Sequence, residues 1–486
     1  MKAIVIGTGI AGLATAVRLK CKGYDVDVYE ANDFAGGKLS EFQIGDYRFD
    51  AGPSLFTMPH LVEELFQLAG KDINTRFLYD KLDVVCQYFW DDGTQLTAFA
   101  DTDKYAQMAE RVLNVPADTL KRALADSKVK YESTEETFLH KSLHKIGTYF
   151  SASTLKVLAN FFKLDILSTM NARNERRFSN PKMVQLFNRY ATYNGSNPYK
   201  ASAILNMIPH LEQNIGAFLP KNGMYDISKS IFELAKELGV QFHFNQPVTQ
   251  ILLLDNEAMG VQIGEKQAFA DKIVCNMDVF FAYDKLLPGV PKPVKTLSQP
   301  KSSSALIFYW GIRQKFEQLH VHNIFFANDY KQEFEHIFET KTISEDVTVY
   351  INITSKQCLK DAPIYGENWF VMVNVPAIAE GQNWDALIPK VRACVLKKLS
   401  AVLKTDVEAL IEKESLLEPR TIQSRTQSHL GALYGTSSNT KMAAFLRHPN
   451  FSNHISNLYF CGGSVHPGGG IPLCLLSAKI VSDLVR

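Results

Sequence analysis

At 486 residues the chain is too long for one simple core and suits two or three intertwined units. Its 46% hydrophobic and 21% charged residues are ordinary for a soluble globular enzyme, and a formal net charge of +1 argues against a nucleic-acid partner, which needs a concentrated basic face. Seven single cysteines without a CxxC pair argue against zinc and against a disulfide framework, so no metal is expected. No apolar run reaches the roughly 18 to 20 residues of a membrane span, and the short amino-terminal run, broken at Gly7, reads as a strand rather than a signal peptide.

Lys2 to Ile6 is β-branched and apolar, which fits a central parallel strand buried on both faces. Gly7, Gly9 and Gly12 follow in GxGxxG spacing, with Ile10 and Ala11 at the entry to a helix expected over Ala11 to Cys21. In this pattern Gly7 allows the tight turn, Gly9 lets backbone approach a pyrophosphate, and Gly12 lets helix and strand pack closely. The helix N-terminus offers free N–H groups and a positive dipole end to the phosphates. A second strand, Asp25 to Tyr29, ends at Glu30 and Ala31. The Glu30 carboxylate lies about 20 residues past the loop, where an acid meets the ribose hydroxyls. Strand, loop, helix, strand and acid in this order mark a dinucleotide site.

Ala31 to Lys38 reads ANDFAGGK and Asp50 to Ser54 reads DAGPS. The first resembles the second signature of the flavoprotein amine oxidase and desaturase superfamily, with Gly37 preceding Lys38 where Arg is usual. Lys keeps the charge but loses the planar fork. The second resembles the flavin-ring segment of the same group, which implies contacts from Gly52, Pro53 and Ser54. The implied cofactor is FAD rather than NAD.

Residues 96–218 are richer in helical patterning. Within Leu139 to Met170, Leu155, Leu158, Phe162 and Ile166 recur at helical spacing, and Tyr149, Phe150, Phe161 and Leu167 add apolar surface. Lys141, Lys145, Lys156, Lys163, Arg173, Arg176 and Arg177 outweigh Asp165 and Glu175. An apolar stripe flanked by cations suits a membrane interface, and equally a core-facing helix with a solvated side. Further on, Gln241 to Phe244, Val248 to Leu254, Asp271 to Asn276, Ala305 to Trp310 and Val347 to Ile353 read as strands, and Trp384 to Val402 as a helix. The chain ends with a strand over Leu458 to Cys461, a glycine turn at Gly462 and Gly463, and a second turn from Pro467 to Gly470. A helix is expected over Leu473 to Val485, with Ile471 and Pro472 near its start, where Pro suits the first turn. Backbone N–H groups there suit the flavin pyrimidine edge or ribityl chain, and Ser464 is a candidate flavin contact.

GGSVHPGGGIP, ending at Pro472, resembles the terminal signature of bacterial carotenoid desaturases of the phytoene desaturase type. Arg189 to Ala203, Pro209 to Glu212, Leu219 to Tyr225, Ala305 to Gly311, His322 to Phe326 and Tyr330 to Phe338 resemble further segments of that family, so the likeness spans the chain. Ser464-Val465 before His466, Leu473-Cys474-Leu475 after Pro472, and AAFLRHP at 443–449 are closer to hydroxycarotenoid (methoxyneurosporene-type) 3,4-desaturases. Phytoene-type members more often carry Thr before the His-Pro and GIPG after it.

The fold the resemblance implies is α/β, mixed with α+β: a discontinuous Rossmann-like FAD-binding domain from 1–95, 219–285 and 436–486, a helical, membrane-facing region over 96–218, and a substrate region of mixed sheet and helices over 286–435. Val248 would lie against adenine. The implied reaction is FAD-dependent desaturation of an acyclic, 1-hydroxylated carotenoid at its 3,4 bond. Phytoene or diapophytoene desaturation, and a carotenoid isomerase or oxygenase on the same fold, stay open. A substrate drawn from a bilayer implies a cytoplasmic protein seated peripherally on the inner face of the cell membrane. His466, with a near-neutral reference pKa, is the candidate for proton handling, and equally a residue that holds the glycine turns. A hydroxylated substrate is expected to need a polar partner at the far end of its tunnel. Glu212 and Arg173 are polar candidates without a place.

Overall fold

The computed structural model describes residues 1–150, 154, 157, 160–440 and 443–485. A five-stranded parallel sheet runs in the order Leu458–Phe460, Lys272–Cys275, Lys2–Ile6, Asp25–Tyr29, Gln241–His243. Its strands come from three distant stretches of chain. The central strand is apolar and buried on both faces because helices cover one side and a second sheet the other. The helices Ile10–Cys21, Asp226–Glu237 and Ile471–Leu484 share one core with it, through Val5, Leu13, Val17, Ile231 and Leu476. On the other face, Ile4, Ile6 and Ile273 pack with Ile251 and Val261 of an antiparallel sheet built from Val248–Leu254, Glu257–Ile263 and Lys266–Phe269.

A seven-stranded sheet forms the second layer, in the order Ile411–Leu417, Ser304–Ile312, Glu367–Val375, Val349–Asn352, His322–Phe325, Val84–Phe89, Gln95–Phe99. Trp310, Trp369 and Val371 of this sheet bury against the helix Trp384–Leu403. The helices Thr102–Leu113, Ala117–Phe138, Met170–Arg177 and Pro181–Asn188 pack on this sheet, with Ala109, Leu120, Met170 and Met183 sharing a core with Tyr88, Leu96 and Ile324.

The local expectations hold to within a residue or two, and the differences have local causes. The terminal helix begins at Ile471, two residues early, because Gly470 takes φ 108° as its cap and Pro472 needs no N–H partner in the first turn. The strand Val84–Phe89, in the stretch expected to serve the cofactor, and Gln95–Phe99, at the start of the stretch expected to be helical, extend the seven-stranded sheet, because Val84–Phe89 pairs in parallel with His322–Phe325 and antiparallel with Gln95–Phe99. The helix expected through Leu155 to Ile166 is not seen as one element. A short helix covers Ile146–Tyr149, a 3₁₀ turn covers Phe161–Leu164, and Asp165 at φ 52° ends it. Leu155, Lys156 and Leu158 lie outside the described residues.

Candidate cofactor and substrate site

The dinucleotide loop has the conformation its glycines allow. Gly7 sits at φ 95°, which an L side chain rarely adopts. A Cβ at Gly12 would lie 2.2 Å from the Gly7 carbonyl oxygen, and one at Gly9 2.6 Å from Asn276 Oδ1. Gly12 therefore packs helix on strand and is not itself in the cavity lining, whereas Gly7, Gly9, Ile10 and Ala11 are. The Glu30 carboxylate is buried at the same wall. Thr8 N–H and Oγ1 donate to its Oε2 (2.8 and 2.7 Å), and Asn32 N–H and Nδ2 to its Oε1 (2.9 and 2.8 Å). Of the four donors, the Thr8 hydroxyl is the one that can rotate and yield an acceptor position to a ribose hydroxyl.

The GGK and DAGPS segments lock together behind this loop. Lys38 donates from Nζ to the Leu433 carbonyl at 3.1 Å, and burial pushes its pKa down. A Cβ at Gly52 would lie 1.9 Å from the Lys38 carbonyl oxygen, so only glycine permits this crossing. Asp50 pairs with Arg48 at 2.7 Å and accepts from the backbone N–H groups of Met224 and Tyr225 at 2.9 Å each. It thereby ties the first stretch of chain to the start of helix Asp226–Glu237.

These elements border one cavity of about 1410 Å³, larger than the roughly 300–1,000 Å³ of a drug-sized pocket and roomy enough for a dinucleotide with a long apolar chain. Glu30, Ala31, Gly37, Lys38, Gly52, Pro53, Ser54, Val248, Gly463, Ser464, His466, Gly470, Ile471 and Pro472 all line it. The part bounded by the helical region and the second sheet is apolar, with Met58, Leu139, Ile166, Met207, Leu211 and Ile324 in its wall.

The donor set suits a flavin dinucleotide. Two helices, Ile10–Cys21 and Ile471–Leu484, begin at this cavity with glycine caps and no side-chain cap. Their open N–H groups and positive dipole ends favour a pyrophosphate at one and an electron-rich ring edge at the other. Arg447, buried in the wall beside Gly468, has no carboxylate partner among the described residues, and burial lowers its pKa to about 10.

His466 donates from Nε2 to the Lys141 carbonyl at 2.9 Å and so joins the terminal glycine turn to the helical region. Burial lowers its pKa to about 3. Glu212 lines the cavity and is paired with Arg189 at 2.8 Å, and it also accepts from Tyr190 at 3.0 Å. Arg173 lies elsewhere, paired with Asp165. Three polar residues in the wall form a chain: Ser54 from the DAGPS segment, and Tyr350 and His322 from the second sheet. Ser54 Oγ lies 2.9 Å from Tyr350 Oη, and Tyr350 Oη lies 2.8 Å from His322 Nδ1. The sequence signal for the last two was slight: His322 opens the HNIFF segment, and Tyr350 looks like any strand aromatic. Asn276, whose Oδ1 nests under Gly9 and Gly12, was likewise without a signal beyond its place at a strand end.

A model of the family described as flavin containing amine oxidoreductase matches residues 10–486. A 1-hydroxycarotenoid 3,4-desaturase from Flavobacterium sp. (strain P99-3) is 54% identical over 484 residues, covering 100% of this chain and 99% of that protein. A 4,4'-diapolycopene oxygenase from Methylomonas sp is 30% identical over 491 residues, covering 100% of this chain and 98% of that protein. Among solved structures, cyclohexylamine oxidase from Brevibacterium oxydans IH-35A shares the fold at a TM-score of 0.62 and 15% identity, over 100% of this chain and 99% of that one.

Proposed function

The chain belongs to the flavin containing amine oxidoreductase family, and on that premise we propose that it introduces the 3,4 double bond into an acyclic 1-hydroxylated carotenoid. It is an FAD-dependent oxidoreductase. The observation that carries the proposal is the full-length likeness to a 1-hydroxycarotenoid 3,4-desaturase, on a chain in which a large cavity joins a dinucleotide loop to an apolar wall.

Desaturation removes a hydride and a proton from adjacent carbons. FAD, when bound, supplies the hydride acceptor. The chain's own residues bind, orient and keep water out. The loop Gly7–Gly12 and Glu30 take the nucleotide half. Gly52, Pro53 and the turn Gly469 to Pro472 take the ring half, at the seam between the two layers, where the Ser54 hydroxyl turns to Tyr350 of the substrate sheet. The apolar wall from Met58 to Ile324 holds the polyene straight and dry. A carbon beside a polyene delocalises positive charge, so loss of its proton needs no strong base. His466 fits that demand poorly as a base, because burial keeps its pKa at about 3, far below the range where proton uptake at neutral pH is efficient. Its role is to hold the terminal glycine turn against the helical region, through the bond to Lys141.

The substrate arrives from a bilayer. Ile146, Phe150 and Leu167 are exposed at 78%, 85% and 70%, while their neighbours Leu139 and Ile166 line the cavity. Lys145, Lys163 and Arg176 flank them. This face suits a peripheral seat on the anionic inner leaflet of the cell membrane, with the cavity mouth beside it. No described helix is long and apolar enough to cross a membrane.

Expression beside separate pools of phytoene, neurosporene and 1-hydroxylated carotenoids tests the function. Each added conjugated double bond moves absorbance to longer wavelength. The hydroxylated pool is expected to shift. A shift of the phytoene pool alone would favour phytoene desaturation instead, and oxygenated products would favour the oxygenase chemistry named for the Methylomonas relative.

A further inference from the structure

In a 1-hydroxylated carotenoid the oxygen on C1 is three covalent bonds from C3. No conformation takes it further than about 4 Å from that carbon. If the 3,4 bond is the one oxidised, the group that reads the hydroxyl belongs to the wall beside the reacting carbons, not to the far end of the tunnel. With the cofactor's ring half held by Gly52, Pro53 and the terminal glycine turn, the reacting carbons would lie where the cofactor layer meets the substrate layer.

Ser54 stands at that seam. It ends the Ala51–Ser54 segment on the cofactor side, and its hydroxyl bonds Tyr350 of strand Val349–Asn352 in the substrate sheet. The direction of the hydrogen bonds follows from their last member. Asn352 Nδ2 donates to the Val321 carbonyl at 3.0 Å and stands 3.3 Å from His322 Nδ1, where a ring proton would face a second donor; Nδ1 is therefore assigned as unprotonated, with its single lone pair directed at the nearer partner, Tyr350. Burial keeps His322 neutral, with its pKa lowered to about 3. Tyr350 Oη therefore donates to Nδ1, and Ser54 Oγ donates to Tyr350. This leaves the Ser54 lone pairs without a donor among the described residues. Two polar neighbours are already bonded: Tyr309 donates to the Ala51 carbonyl at 2.8 Å, and Lys38 to the Leu433 carbonyl. Glu212, deeper in the wall, accepts from both Arg189 and Tyr190.

We propose that Ser54 Oγ, oriented by Tyr350 and His322, accepts the hydrogen bond of the substrate's C1 hydroxyl and so selects hydroxylated over non-hydroxylated or O-methylated carotenoids. A methyl ether has no proton to donate, so it loses this bond and adds bulk where the serine sits. The proposal rests on the reading of the substrate as 1-hydroxylated.

The test uses the FAD-loaded full chain with a 1-hydroxylated acyclic carotenoid and its 1-methoxy counterpart, each in liposomes. Equilibrium binding, kcat and KM are measured for both. The parent is expected to prefer the hydroxylated substrate. Ser54→Ala should lower that preference about five- to tenfold, the size of one hydrogen bond, with the loss in KM and binding rather than in flavin content. Ser54→Thr should restore it, and Tyr350→Phe, which frees the serine to rotate, should lower it by a smaller factor. Should Ser54→Ala fail to load FAD, Tyr350→Phe decides by itself. A Ser54→Ala or Tyr350→Phe protein that loses both substrates equally, or keeps the parent's ratio, overturns the proposal. A parent that converts both substrates equally also overturns it while leaving the desaturase reading intact. A parent that converts neither removes the reading on which it rests.

Discussion

Replacing Gly12 by alanine is the sharpest perturbation of the cofactor loop. The added Cβ would sit 2.2 Å from the Gly7 carbonyl oxygen, about 1.2 Å closer than the 3.4 Å at which ordinary contact begins. That oxygen cannot swing away, because the Thr8 N–H of the same peptide is bonded to Glu30 Oε2 at 2.8 Å, while the Gly7 N–H holds the turn to the Tyr29 carbonyl at 2.8 Å. The helix must instead lift from the sheet, and Asn276, 3.0 Å away on the other side, blocks part of that path. Overpacking of this kind costs about 3 kcal/mol, the upper end of the usual range. If the strain is relieved by moving the helix N-terminus off the phosphates, FAD affinity falls about a hundredfold. Gly9→Ala is the control. Its Cβ would meet only the end of the Asn276 side chain, at 2.6 Å, so the cost should be nearer 1 kcal/mol and the affinity loss about fivefold. Flavin titration into the apoprotein, read by quenching of flavin fluorescence, gives both affinities, and a thermal melt reports the strain. Gly12→Ala with the parent's affinity and melting temperature, or a weaker effect than Gly9→Ala, would refute the packing account.

Other outcomes follow from buried charge and exposed apolar surface. His322, His448 and His466 are held by burial below the ordinary 6.5, at about 3, 4 and 3, so the unfolded chain takes up protons that the folded chain refuses. Their contribution is whole above about pH 6.5 and is lost as pH falls toward 4; between 6.5 and 5.5 it is about 1 kcal/mol each. Glu333 acts oppositely. Burial raises its pKa to about 7, so it stabilises at low pH and returns about 1 kcal/mol over the same interval. His429, lowered by burial to about 4, adds to the loss in the same direction, so urea melts should show the protein less stable at pH 5.5 than at pH 6.5 by at least about 2 kcal/mol; equal stability would contradict the assignment. Glu212→Gln leaves Arg189 buried without its counter-charge, which should destabilise by about 3 kcal/mol, and an unchanged melting temperature would show that the pair is dispensable. Ile146→Ser with Phe150→Ser should reduce flotation with anionic liposomes severalfold while leaving FAD content alone; undiminished flotation would move the membrane contact elsewhere.

The legible part of this protein was its local part. The strand Lys2–Ile6, the glycine loop, the strand Asp25–Tyr29 and Glu30 follow one another within 30 residues, and each is specified by its own residue types. The terminal turn was legible for the same reason, since glycines and prolines announce their backbone. Partnership across the chain was not. Val84–Phe89 reads as a strand from any viewpoint, and nothing in it names the sheet it joins. Ser54, Tyr350 and His322 meet from positions about 30 to 300 residues apart. Their polar atoms are ordinary until the fold sets them in line at a cavity wall. The same holds for Asn276, which matters only because two glycines approach it. If the 3,4 bond reacts, the covalent distance from C1 to C3 puts the hydroxyl partner beside the reacting carbons rather than at the far end of the tunnel, and no residue pattern records that distance.

Purified, FAD-loaded protein mixed anaerobically with a 1-hydroxylated acyclic carotenoid tests the central claim most directly. Loss of the oxidised flavin absorbance is expected, together with one equivalent of product bearing a new 3,4 double bond. Unreduced flavin and unchanged carotenoid, with FAD demonstrably bound, would contradict it.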